Sequence, residues 1–184
     1  RCLESVRPLI SHWVIVDTGS ADGTQDIIRK QLAGLPGKLY ERSWKDFAHN
    51  RSEALELARP HGDYSLIIDA DDTLELQPDL LMPLLSEDCY TVDIRDGALL
   101  YQRKQLVSNR LRWFYRGVLH EFIETDGPHN TGHLGITMRR NHDGARRHAR
   151  TRVAAAVEDR AAGIRRARGR GSETPDPRPR ALLR

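Results

Sequence analysis

The fold is decided by residues 64–72, which read Tyr64-Ser65-Leu66-Ile67-Ile68-Asp69-Ala70-Asp71-Asp72. A short apolar run bounded by turn residues is typical of a strand buried in a parallel sheet. The three carboxylates that follow repel one another unless a positive charge lies among them. Mg²⁺ or Mn²⁺ prefers such oxygen ligands and keeps positions open for phosphate oxygens. The stretch therefore predicts a site for a divalent cation and a diphosphate, and the alternative is a solvated acidic turn.

The sequence upstream alternates strand and helix. An apolar run at residues 13–16 predicts a strand, and the turn-rich residues 17–24 lead into a helix that ends at Pro36-Gly37. A second strand is predicted at residues 38–41 and a second helix at residues 47–58. This alternation predicts an α/β fold with a mostly parallel sheet flanked by helices. Ligands of such sheets bind beyond the carboxyl ends of the strands, where Asp17 and Asp69 are expected.

Size and composition favour one domain without a membrane anchor. The chain has 184 residues, and it contains no apolar run near the roughly 20 residues that span a bilayer. Its two cysteines, Cys2 and Cys89, form no pattern of a disulfide framework or a thiolate zinc site. We therefore expect a soluble, cytoplasmic protein. The chain opens on Arg1 directly before structured sequence, from which we expect the natural N-terminus to be missing.

The C-terminal segment, residues 145–184, differs in kind from the rest. It holds 12 of the 29 basic residues and 4 of the 26 acidic ones, a net charge of +8, whereas residues 1–144 carry −5. All twelve basic residues are arginine, interleaved with Ala, Gly and Pro, so we predict a disordered or irregular tail. A basic arm for nucleic acid is one alternative, although the tail has no aromatic residue and residues 1–144 are acidic. Translation of GC-rich DNA out of frame is another.

Several stretches together resemble a known family. They are VIVDTGSADGT at residues 14–24, FAHNRSEAL at 47–55, IIDADD at 67–72, GVLHE at 117–121, and the single His142. In wording, order and spacing they are similar to the motifs of family 2 glycosyltransferases, which have the Rossmann-like GT-A fold. The resemblance implies a GT-A domain at residues 1–144 that lacks the family's first strand. It does not extend into the tail. It also implies transfer of a sugar from a nucleotide sugar, a UDP-sugar, to an acceptor hydroxyl.

The resemblance implies roles for the residues that bind the donor. Asp17 would accept a hydrogen bond from the uracil ring N–H, and Arg51 would lie near the nucleotide or its phosphates. The alternative for Arg51 is an exposed helix arginine. Asp69 and Asp71 correspond to the family's DxD motif, in which Asp71 is the direct ligand of Mn²⁺ or Mg²⁺ and Asp69 contributes to the metal and the nucleotide. His142 would complete the metal site.

The resemblance also implies an inverting reaction. Glu121 would be the base that takes the proton of the acceptor hydroxyl, and His120 is the competing candidate. Residues 99–125, including Trp113, Phe114, Tyr115 and Arg116, either form the acceptor side, where aromatic rings suit sugars, or belong to the core. The donor sugar, the acceptor and the oligomeric state stay open.

The acidic cluster also fits another enzyme class. Residues 66–73 match the strand and DxDxT motif of haloacid-dehalogenase-type phosphatases, with Asp69 as nucleophile and Asp71 as general acid. Such enzymes usually open with this motif, whereas 65 residues of α/β sequence precede Leu66 here, and no later Asp-Asp pair completes their metal site.

Overall fold

A computed structural model describes residues 1–77, 82–117 and 121–141, together with the backbone of residues 151–157. The helices are α1 (Cys2–Val6), α2 (Thr24–Gln31) and α3 (Phe47–Ala58), which a 3₁₀ turn, Arg59–His61, follows. The strands are β1 (His12–Asp17), β2 (Gly37–Glu41), β3 (Tyr64–Asp69), β4 (Asp72–Glu75), β5 (Cys89–Asp96), β6 (Leu99–Ser108), β7 (Trp113–Arg116), β8 (Phe122–Thr125), β9 (Thr131–Arg140) and β10 (Thr151–Val157). Elements β1 to β3 follow the predicted alternation of strand and helix.

The main sheet is mixed, with the strand order β2-β1-β10-β3-β6-β5-β9-β4, and β7 and β8 form a separate ribbon. Strand pairs β1–β2 and β5–β9 are parallel, whereas the other described pairs are antiparallel. The prediction of a mostly parallel sheet is therefore wrong for the described strands. The reason is that the helix alternation ends at β3. Strands β5 and β6 form a hairpin around Gly97, whose φ of 58° suits a two-residue turn.

Strand β10 lies inside the segment for which the sequence predicts disorder. It runs between β1 and β3 and pairs with both of them in antiparallel register. The cause is a short apolar run, Val-Ala-Ala-Ala-Val at residues 153–157, among the arginines. The remaining residues of 145–184 lie outside the described part of the chain, so the domain boundary at residue 144 stays a prediction.

Two strand ends define the edge of the sheet at which the candidate site lies. Because β1 and β3 are both antiparallel to β10, they run in the same direction and end at the same edge. Asp17 pairs with Thr151, and Asp69 pairs with the next residue, Arg152. One strand separates the two aspartates, which places their backbones roughly 10 Å apart across the sheet.

The core lies beneath this edge. Its largest cluster joins α1, β1, α2 and β3 to the hairpin and β9, with fully buried side chains such as Ile15, Ile68 and Ile94. Trp13 Nε1 donates a hydrogen bond to the Leu35 carbonyl (3.0 Å), which connects β1 to the turn between α2 and β2. Among the described residues, no helix has the length and apolar character needed to cross a membrane.

Candidate active site

The acidic cluster forms where β3 turns directly into β4. Asp69 is the last residue of β3 and Asp72 is the first residue of β4, and both are buried. Asp71, in the turn between them, is partly exposed. The Asp71 carbonyl accepts a hydrogen bond from the side-chain amide of Asn141 (2.9 Å), which follows β9 and fixes the turn. The end of β3 and the start of β4 therefore both place carboxylates at the same edge of the sheet.

Asp72 carries an electrostatic cost that its surroundings relieve only in part. Its side chain is 1% exposed, and neither carboxylate oxygen has a hydrogen-bond partner among the described residues. Burial, and then the charges of Asp69 and Asp71, raise the pKa of Asp72 to about 6, although Arg140 and Arg103 counteract them. A cation that entered the cluster would relieve this cost.

The raised pKa of Asp72 predicts a pH-dependent gain of stability in Asp72→Asn. A carboxyl whose folded-state pKa lies above its unfolded value of 3.8 favours folding below that value, and this contribution is lost as the pH rises through about 6. We expect Asp72→Asn, without divalent cations, to raise the free energy of unfolding by about 1–3 kcal/mol at pH 8. The gain should fall toward zero at pH 4. Urea denaturation at pH 4, 6 and 8 measures it.

Asp26→Asn serves as the control, because Asp26 lies on α2 and its side chain is 88% exposed. It should change the free energy of unfolding by well under about 1 kcal/mol at every pH. An Asp72→Asn protein that is less stable than the wild type at pH 8 would contradict the electrostatic cost described for this carboxylate.

Arg51 joins two of the predicted site residues. Its Nη2 atom donates hydrogen bonds to both oxygens of Asp69, at 2.7 and 3.0 Å. Its Nε atom lies 3.3 Å from Glu121 Oε1, an ion pair without hydrogen-bond alignment. Burial by itself would lower the pKa of Arg51, but the negative charge of Asp69 and, less strongly, of Glu121 raises it above its ordinary value. The alternative prediction, an exposed helix arginine, is wrong because the Arg51 side chain is only 11% exposed.

The start of α3 explains why Arg51 faces the cluster. Asp46 caps the helix by accepting a hydrogen bond from the backbone N–H of His49 (2.7 Å). Asn50 is buried, and its side-chain oxygen accepts a hydrogen bond from the backbone N–H of Lys45 (3.0 Å). The hydroxyl of Ser52 accepts one from the backbone N–H of Tyr115 in β7 (2.9 Å). These contacts fix the rotation of the helix, so the residue between Asn50 and Ser52 points to the end of β3.

Glu121 lies beside this cluster, directly before β8. Its side chain is 16% exposed, and Arg51 connects it to Asp69. The structure thus brings Arg51, Asp69 and Glu121 together. The other predicted catalytic residue, His120, and the predicted metal ligand His142 lie outside the described residues, so their roles stay predictions.

Asp17 lies at the same edge but is held within its own turn. It is fully buried. Its carboxylate accepts hydrogen bonds from the hydroxyl of Ser20 (2.6 Å) and the side-chain amide of Gln25 (2.7 Å). Asp17 therefore stabilises the passage from β1 to α2. A contact with a nucleotide base would add to these hydrogen bonds or replace that of Gln25.

Two further arginines approach the cluster, and neither was predicted from the sequence. Arg103 Nη2, on β6, lies 3.9 Å from Asp69 Oδ2. Arg140 Nε, on β9, lies 3.9 Å from Asp72 Oδ1. No local pattern marks these residues, because they reach the cluster only through the pairing of β3 with β6 and of β4 with β9.

The aromatic segment at residues 113–116 divides between the core and the site. Trp113 is 4% exposed and packs in a small apolar cluster with Leu55 and Ile67. The ring of Tyr115 lies under Arg51, with 5.2 Å between the guanidinium carbon and the ring centroid. Trp113 is therefore a core residue, and Tyr115 belongs to the site.

A divalent cation fits the chemistry of this cluster, although the described residues do not form a closed metal site. Among them, no three His, Cys, Asp or Glu side chains converge as ligands. However, the Asp72 oxygens, which accept no hydrogen bond from the described residues, and the partly exposed Asp71 supply the hard oxygen donors that Mn²⁺ and Mg²⁺ prefer. Asp69 is the exception, because both of its oxygens already bind Arg51.

Comparison with known proteins decides the family. The sequence model of glycosyl transferase family 2 matches residues 1–142, which include all the predicted site residues. The chain belongs to glycosyl transferase family 2. The resemblance found in the motifs is thereby confirmed, and the family implies a GT-A type of α/β fold.

A relative of this family 2 domain is a TPR repeat-containing protein of Synechococcus elongatus. The two are 31% identical over 133 residues, and the match covers 67% of this chain and 32% of that protein. The chain thus spans about a third of the length of that relative.

Proposed function

We propose that this family 2 domain transfers a sugar from a UDP-sugar to an acceptor hydroxyl, with Mn²⁺ or Mg²⁺ as cofactor. The observation that carries the proposal is the convergence of Asp69, Arg51 and Glu121 at the edge of the sheet where β1 also ends. A donor that spans from Asp17 to the acidic cluster would bridge the roughly 10 Å between the two strand ends. The family assignment favours this function over the phosphohydrolase and the nucleic-acid-binding alternatives.

The donor would lie across the two strand ends. Asp17 would bind the uracil ring, whose N–H donates to a carboxylate. Asp71 and His142 would hold the divalent cation, and Asp69 would join them by exchanging a hydrogen bond from Arg51 for the metal. When bound, the cation supplies charge stabilisation for the departing diphosphate.

The acceptor would be activated by Glu121. Its carboxylate would take the proton of the acceptor hydroxyl while that oxygen attacks the anomeric carbon. The bond from the anomeric carbon to the phosphate oxygen breaks at the same time, and UDP leaves with the electron pair. One displacement of this kind inverts the anomeric centre. His120 is the alternative base.

Calorimetric titration with UDP tests the proposal. We expect the wild-type chain to bind UDP in the presence of Mn²⁺ or Mg²⁺ and to lose most of that binding in EDTA. ADP is the matched control, because its adenine lacks the imide N–H that Asp17 would recognise, and it should bind at least about tenfold more weakly. Equal binding of UDP with and without metal would contradict the metal dependence. The absence of any UDP binding would contradict the proposed function.

A further inference from the structure

We propose that Arg51 is an internal counter-cation of the acidic cluster: it neutralises Asp69, positions Glu121, and competes with the divalent cation for the Asp69 carboxylate. This inference rests on the proposed function for the presence of a metal site. It gives Arg51 a role different from the position near the nucleotide or its phosphates that the family resemblance implies.

The contacts of the Arg51 guanidinium are the first support for this proposal. One group reaches both carboxylates, through Nη2 to Asp69 and through Nε to Glu121. All three side chains are largely buried, with 11%, 10% and 16% exposed for Arg51, Asp69 and Glu121. An ion pair shielded in this way is screened little by solvent, and removal of one partner leaves an uncompensated charge. Arg51 therefore compensates the negative charge of Asp69 before any ligand binds.

The surroundings of Arg51 are the second support for the proposal. Its guanidinium lies over the ring of Tyr115, and the neighbouring Ser52 binds the Tyr115 backbone. The side chain is thus fixed between α3 and β7 rather than extended into solvent. The second arginine near Asp69, Arg103, stands off at 3.9 Å and makes no hydrogen bond through that Nη2 atom. Arg51 therefore contacts Asp69 through hydrogen bonds, whereas Arg103 is more distant.

The contacts of Arg51 affect how tightly the metal binds in the absence of nucleotide. A divalent cation that approaches Asp69 meets a carboxylate whose two oxygens already accept hydrogen bonds from Arg51. Binding of the metal alone is therefore weakened in the wild type. Removal of Arg51 without a replacement charge leaves Asp69, Asp71 and Asp72 as a denser set of negative charges, which attracts the cation more strongly.

The test measures the affinity for Mn²⁺ alone, with electron paramagnetic resonance reporting the free ion. The proteins compared are the wild type, Arg51→Gln, Arg51→Lys and the control Arg29→Gln. Arg29 lies on α2 in an exposed pair with Asp26, so Arg29→Gln makes the same change of net charge away from the site. We expect Arg51→Gln to bind Mn²⁺ at least about tenfold more tightly than Arg29→Gln. Arg51→Lys keeps the charge but cannot span both carboxylates, and it should bind Mn²⁺ about threefold more tightly than the wild type.

A calorimetric titration with UDP in saturating Mn²⁺ separates this role from a phosphate contact. A counter-cation leaves the affinity for UDP within about threefold in Arg51→Lys, whereas a phosphate ligand predicts a loss of tenfold or more in both variants. If Arg51→Gln does not fold, as judged by circular dichroism, Arg51→Lys carries the test. Unchanged Mn²⁺ affinity with weakened UDP binding overturns the inference. Because the wild type binds UDP in either case, that result leaves the proposed function intact.

Discussion

Glu121→Gln should lower the rate of sugar transfer by about 10²–10⁴-fold, the usual contribution of a general base. Gln keeps the shape of the side chain but cannot take the proton of the acceptor hydroxyl. Because the proposed base acts on the acceptor, the affinity for UDP with Mn²⁺ should stay within about threefold of the wild type. Steady-state kinetics with a UDP-sugar and calorimetric titration with UDP measure the two effects separately.

Glu124→Gln is the matched control for this result. Glu124 lies three residues further along, on β8, and pairs with Arg116 (2.8 Å) on the neighbouring strand of the ribbon. Its side chain is 38% exposed, so we expect less than about a twofold change in rate. A Glu121→Gln protein with the wild-type rate would exclude Glu121 as the base and leave His120 as the candidate to test.

Asp71→Ala should weaken metal-dependent UDP binding by at least about 100-fold, which corresponds to about 2.7 kcal/mol. Asp71 is the carboxylate of the cluster that is partly exposed in the turn between β3 and β4, and Ala removes both of its oxygen ligands. Calorimetric titration with UDP in Mn²⁺ measures the effect. The fold should be retained, because the turn is held by the Asp71 carbonyl and Asn141, and not by the substituted side chain.

Asp26→Ala provides the comparison for this substitution, since it removes the same charge from the exposed surface of α2. Its UDP affinity should equal that of the wild type. Retention of tight, Mn²⁺-dependent UDP binding by Asp71→Ala would mean that the cation is held elsewhere in the chain, and the role assigned to the turn would have to be abandoned.

The first half of the fold was predictable because its signals are local. The apolar runs of β1 and β3, the turn after Asp17 and the helical spacing after Thr24 each depend on a few adjacent residues. The helix nevertheless ends at Gln31, earlier than the predicted end at Pro36-Gly37. The parallel direction of β1 and β3 then places Asp17 and Asp69 at one edge, as the sequence analysis expects. Local patterns of this kind also led to the family.

The second half was not predictable, because its structure depends on pairings between distant segments. The approach of Arg103 and Arg140 to the carboxylates follows from the register of β6 and β9, which no neighbouring residue encodes. The bridge from Asp69 to Glu121 through Arg51 likewise joins residues that are 52 positions apart in the sequence. The roles of His120 and His142 stay predictions from the family motifs.

Strand β10 has a consequence for the order in which the domain forms during synthesis. The strands that end at Asp17 and Asp69 share no backbone hydrogen bonds with each other, and both instead pair with residues 151–157. A ribosome delivers that strand more than 130 residues after β1, and such distant pairing slows folding. The distance between the uracil end and the diphosphate end of the proposed pocket is therefore fixed late in synthesis. A nascent chain that stops short of residue 151 contains both halves of the pocket but lacks the strand that separates them.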